Sequence, residues 1–139
     1  MILRAAILLA CLVPLAAGLA GVLTGAGFLD AGLPGIGGVG NAGLPGVGGG
    51  SPAVDSHLRY LSGLLLGSGL ALAWASFDLP RRGRVFAILA PIIVLGGLAR
   101  LGGLFHATPP LPHLLALGME LGVTPLLWWC VRRAMRTHG

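Results

Sequence analysis

Four ionisable side chains lie inside, or at the mouth of, runs that are otherwise apolar: Asp55, Arg59, Arg100 and Glu120. Charge in such a setting is costly, so each group needs a partner or a purpose. Two are acids and two are arginines, and their formal charges cancel. Arginine suits pairing of this kind, because its planar fork bonds a carboxylate through two N–H groups and stays charged. Asp55, Arg59 and Ser62 share one helical stripe, and His113, Glu120 and Thr124 share another. Such a buried charge cluster supports two kinds of chemistry. It can clamp helices in register, or it can bind a solute or exchange protons, with Glu120 as the titrating group. His57, which points away from the Asp55 stripe, is an accessory candidate together with Ser62 and His113.

A metal site is the competing use of the same region. His57, His106 and His113 with Asp55 and Glu120 form a nitrogen and oxygen donor set that suits zinc or copper. No pair has the i, i+4 spacing of a strong helical metal motif, so no metal ligand is assigned. No Ser/His/Asp or Cys/His arrangement stands in a recognisable context, so no catalytic residue and no cofactor is expected. Cys11 and Cys130 sit in separate apolar runs and read as small buried hydrophobes, without a disulfide framework.

The elements that would position these residues follow from composition. Of 139 residues, 55% are hydrophobic and only 9% charged. Soluble domains carry about 25% charged residues, and this chain lacks the polar surface a soluble fold needs. The expectation is a single all-α domain, a four-helix transmembrane bundle, with helices over about 2–22, 55–77, 85–105 and 114–135. The net charge of +5 rests on arginine alone, since there is no lysine. The arginines fall at the ends of apolar runs rather than in a stripe with interleaved aromatics, which argues against nucleic acid.

The first run has a basic start and small residues near its end, as a secretory signal does. Its apolar stretch of about 20 residues is enough to cross a bilayer core of about 30 Å, and the expectation is a retained helix kinked at Pro14. Residues 25–54 follow as a Gly/Pro-rich loop. Leu33-Pro34-Gly35-Ile36 returns eleven residues later as Leu44-Pro45-Gly46-Val47. Pro-Gly suits the centre of a type II turn. The glycines lack the Lys and Ser/Thr of a phosphate loop. The loop reads as a connector or, through Leu33, Pro34, Ile36, Leu44, Pro45 and Val47, as a docking surface for a partner protein.

Within the helices, Gly63 and Gly67, and Gly96 and Gly97, offer small faces for close helix packing. Asp78–Arg84 reads as a tight connection holding three arginines, and Trp128-Trp129 before Arg132, Arg133 and Arg136 reads as an interfacial belt with an inside anchor. Arg4, the 78–84 segment and the C-terminal arginines fall on one face if both termini are cytoplasmic. The opposite loops hold no arginine. At about 1.5 Å per residue, Arg59, Arg100 and Glu120 then lie about 5, 8 and 10 Å below the outer edge, in one layer with Asp55.

Asp55-x-His57-x-Arg59-Tyr60-Leu61-Ser62-Gly63, Gly96-Gly97-x-x-Arg100, and Glu120-Leu121 followed by Pro125 resemble the domain-of-unknown-function 4345 family of small bacterial membrane proteins. The resemblance runs from about Asp55 to Trp129 and more loosely over the first helix. The repeated Gly-Leu-Pro-Gly loop departs from it. It implies a four-helix membrane fold and no activity.

The reading that follows is a multi-pass protein of a bacterial inner membrane, non-catalytic, embedded in the lipid bilayer. It would be an accessory or structural subunit packed against a larger membrane complex, or self-associated as a homo-oligomer. The alternative is a small dimeric transporter or ligand-binding protein using the outer charges.

Overall fold

A computed structural model of the chain describes residues 2–25, 52–103 and 111–137. All regular structure among them is helical: α1 (Ile2–Thr24), α2 (Pro52–Ser76), α3 (Leu79–Gly103), α4 (Leu111–Gly118), a π-helical segment (Met119–Val123) and α5 (Thr124–Thr137). The last three run on as one rod. Four segments are long and apolar enough to cross a membrane: Ile2–Thr24, Pro52–Ser76, Leu79–Gly102 and Leu114–Arg136.

The helix ends follow from local chemistry. α1 carries Pro14 in its interior and ends where Gly25 takes φ 55°, its N–H donating to the Gly21 carbonyl at 2.9 Å. A residue in this left-handed conformation at a helix end is most often glycine, which has no Cβ to clash. α2 opens on Pro52, whose missing N–H would be unpaired in a first turn anyway, and places Asp55 near its positive end. α3 begins at Leu79, not at Val85 as the sequence pattern led us to expect. Pro80 falls in its first turn, where it costs nothing, and the Arg82 N–H donates to the Asp78 carbonyl at 2.8 Å. The arginine-rich segment is therefore the start of a helix, and only Phe77 and Asp78 separate α2 from α3.

α1 and α2 form the closest helix pair. A Cβ on Gly18 would come 2.6 Å from the Leu66 backbone nitrogen, one on Gly69 would meet Leu15 at 3.2 Å, and one on Gly21 would collide with Ser62 Oγ. Small residues let two backbones approach without a solvent-driven hydrophobic effect, which is absent in lipid. α3 packs on α5, where Gly83 seats the sulfur of Met135.

The core is polarised along the bundle. Ile7, Cys11, Leu72, Phe86 and Val131 form its buried cluster, with Leu15, Leu89 and Leu127 among the side chains around it. The five buried residues lie toward the end that carries Arg4, Arg81–Arg84 and Arg132–Arg136. Among the described residues, no buried hydrophobic side chain lies in the opposite halves of the helices. Large apolar side chains such as Leu9, Leu64, Ile88 and Leu115 point outward from every span, the surface lipid requires.

Candidate functional site

The charged residues meet at the end opposite that core. Arg59 stands one helical turn after Asp55 and donates from Nε to Asp55 Oδ2 at 2.7 Å. Its Nη1 reaches across to α1 and donates to the carbonyls of Val22 at 2.7 Å and Leu23 at 3.2 Å. The last carbonyls of a helix lack intrahelical partners and carry its partial negative charge. One guanidinium thus closes the end of α1 and holds it to α2. Gly25 is part of the same arrangement. A Cβ there would strike Asp55 Oδ1 and come 2.8 Å from Arg59 Nε.

The second pair is built differently. Arg100 leaves the last turn of α3 and grips Glu120 with both arms of the fork, Nε to Oε2 and Nη2 to Oε1, each 3.1 Å. Glu120 is presented by the π segment. Pro125 follows four residues after Leu121, and in a regular helix its ring would clash with that carbonyl. Widening the turn avoids the clash, and Thr124 brings both its backbone N–H and its Oγ1 (3.0 Å) to the Met119 carbonyl. Gly97 makes room one turn before Arg100: a Cβ there would meet Leu121 Cδ2 at 2.8 Å and Glu120 Cβ at 2.9 Å.

The four charges expected as one buried cluster resolve into two separate pairs. Among the described residues no hydrogen bond or ion pair joins one pair to the other. Arg59 turns toward α1, where unpaired carbonyls attract it. The pairs are also only half-buried by protein, with side-chain exposures of 45% for Arg59 and 38% for Arg100 against 34% for Asp55 and 20% for Glu120. Their remaining surface faces what surrounds the bundle. His57 is exposed and Ser62 is half-buried against Gly21. Among the described residues no three His, Cys, Asp or Glu side chains converge as a metal site would need. The side chain of His113 lies outside the described residues, as do His106 and the loop positions Leu33, Pro34, Ile36, Leu44, Pro45 and Val47.

Of the glycines expected to pack helices, Gly97 does so. A Cβ at Gly63, Gly67 or Gly96 would find nothing within 4 Å. Close approach falls instead to Gly18 and Gly21 on α1 and Gly69 on α2. The spacing of Gly18 and Gly21 with Gly25, along one stripe of α1, was a usable signal.

The family model described as a domain of unknown function (DUF4345) matches residues 2–131. The chain belongs to this family. The DUF4345 match takes in both ion pairs, Gly25 and the π segment, and it stops just before Arg132. Comparison with curated proteins and with solved structures gives no match.

Proposed function

We propose that this DUF4345 protein is a non-catalytic, multi-pass protein of a bacterial inner membrane, with both termini cytoplasmic, that serves as an accessory or structural subunit. It would pack against a larger membrane complex or a second copy of itself. One observation carries the reading: the outer charges are engaged in bonds that tie helix to helix, while Gly63, Gly67 and Gly96 leave small faces open to a neighbour. Charges used this way stabilise an assembly. The one-sided arginines support the orientation. Purification in a mild detergent, with identification of everything that travels along, tests it. A stable companion complex or a discrete homo-oligomer is expected, and a monodisperse monomer counts against the reading.

A specific feature favours a second reading, a small dimeric transporter or ligand-binding protein. Glu120 sits in a π segment, and such segments occur often at functional sites. Its partner Arg100 is reachable from outside the protein. On this reading flux in liposomes depends on Glu120 and disappears in Glu120→Gln, while Arg59 variants that fold retain it.

A further inference from the structure

Seven of the nine arginines collect at the core end: Arg4 on α1, three in the first turns of α3, and three in the last turns of α5. Asp78 is the one acid among the described residues there, held 3.9 Å from Arg81. A topology signal needs only charge. Here four of the guanidiniums are also stacked on rings: Arg4 over Phe77 and Arg82 over Trp74 at 4.1 Å, Arg132 over Trp128 at 4.5 Å, and Arg133 over Trp129 at 5.5 Å from the ring centres. A ring against the flat face of a guanidinium fixes its plane without using its N–H edge; at Arg82 one N–H of that edge, on Nη1, goes to the Trp74 carbonyl at 3.3 Å. That edge is the part that grips phosphate through two parallel hydrogen bonds.

Two strips on the bundle continue from these rings down the apolar surface. On α2, Leu70 and Trp74 are one turn apart and lead to Arg82. On α5, Leu126 and Trp129 lead to Arg133. The four apolar members are 52–59% exposed. Each strip therefore reads, in order, bare aliphatic surface, indole, guanidinium. Acyl chain, glycerol region and phosphate of a phospholipid follow in that order from the membrane interior outward.

We propose that the arginine end binds anionic phospholipid, with the ring-stacked guanidiniums of Arg82 and Arg133 holding lipid phosphates and the strips below them seating the chains. The continuous aliphatic surface under each guanidinium favours a lipid over an acidic protein or a nucleic acid, neither of which would use it. The surplus of positive charge selects anionic over neutral headgroups.

The experiment compares phosphatidylglycerol with phosphatidylcholine added to the full chain in a neutral detergent. Bound lipid is read by native mass spectrometry and stability by thermal unfolding. Phosphatidylglycerol should remain bound and raise the unfolding temperature where phosphatidylcholine does neither. The variant Arg82→Lys/Arg133→Lys keeps the net charge and loses fork and stacking, and should bind about tenfold more weakly. Arg133→Lys alone, on an exposed helix end, should lose about threefold and covers the case in which the double variant does not fold. Equal binding of the two lipids overturns the proposal. So does wild-type affinity in the lysine variants, which would leave bare charge as the whole cause. Equal stabilisation by inorganic phosphate would also remove the lipid as its source.

Discussion

The two ion pairs at the end opposite the core each join an arginine to a carboxylate, and they hold helices together by different means. Arg59 spends its fork on unlike acceptors, a carboxylate on its own helix and two carbonyls at the end of the next. Arg100 spends its fork on one carboxylate, across helices. Removing Arg59 therefore takes a partner from two backbone carbonyls as well as from an acid, whereas removing Arg100 takes one from an acid alone. The last carbonyls of a helix have no partner within it, so the loss of Arg59 leaves them without that bond. The α1–α2 clasp should consequently matter more to stability than the α3–π clasp, although the second has the more regular geometry.

Arg59→Met tests this most strongly. It keeps the aliphatic stem and removes three charge-assisted bonds, each worth about 1.5–3 kcal/mol when made to a charged group. A loss of about 3 kcal/mol or more in neutral-detergent unfolding is expected. A loss no larger than that of an Arg100→Met variant would erase the distinction between the pairs. Gly25→Ala attacks the same clasp from the other side. A left-handed conformation costs an L-residue about 1–2 kcal/mol, and the new methyl would also push Asp55 away from Arg59. The expected loss is about 2 kcal/mol, and in an Arg59→Met background it should shrink, since the two changes break one arrangement.

This asymmetry was only half legible in the sequence. Hydropathy and the placing of the arginines specify four spans and their relative directions, because lipid demands long apolar runs and little else. The charged pairs were legible as charges in need of partners. Which partner each takes was not, since a backbone carbonyl carries no mark in the sequence beyond the glycine stripe that exposes it. Pro80 hid the true start of α3 because proline reads as a break, yet within a first turn it is harmless. Glycines at Gly63/Gly67 and at Gly18/Gly21 look alike as a pattern, and only the packing of α1 on α2 decides which face is used. The π segment had one sequence trace, Pro125, whose conflict with the Leu121 carbonyl depends on the rod continuing past it.

At the second clasp the expected effects are smaller. Glu120→Gln keeps the shape and one acceptor oxygen but sets an NH2 group against the guanidinium. A loss of about 1–2 kcal/mol is expected in detergent unfolding. A loss matching that of Arg59→Met would instead make this pair the equal of the first.

The glycines give the finest test, because Gly97 and Gly63 differ only in what stands opposite them. At Gly97 a methyl would press on Leu121 Cδ2, the movable end of a side chain, and on Glu120 Cβ, which is fixed by the π segment. Gly97→Ala should cost about 1 kcal/mol and loosen the Arg100–Glu120 bond, so its effect and that of Glu120→Gln should not simply add. At Gly63 a methyl meets nothing within 4 Å, and alanine is the better helix former by up to about 1 kcal/mol. Gly63→Ala should leave the isolated chain as stable as before or slightly more so. If that face meets a neighbouring helix in the membrane, the same methyl separates the two backbones, and the companion should drop away while the chain itself unfolds no sooner. A variant that keeps both its stability and every companion would move the contact surface off the Gly63 face of α2.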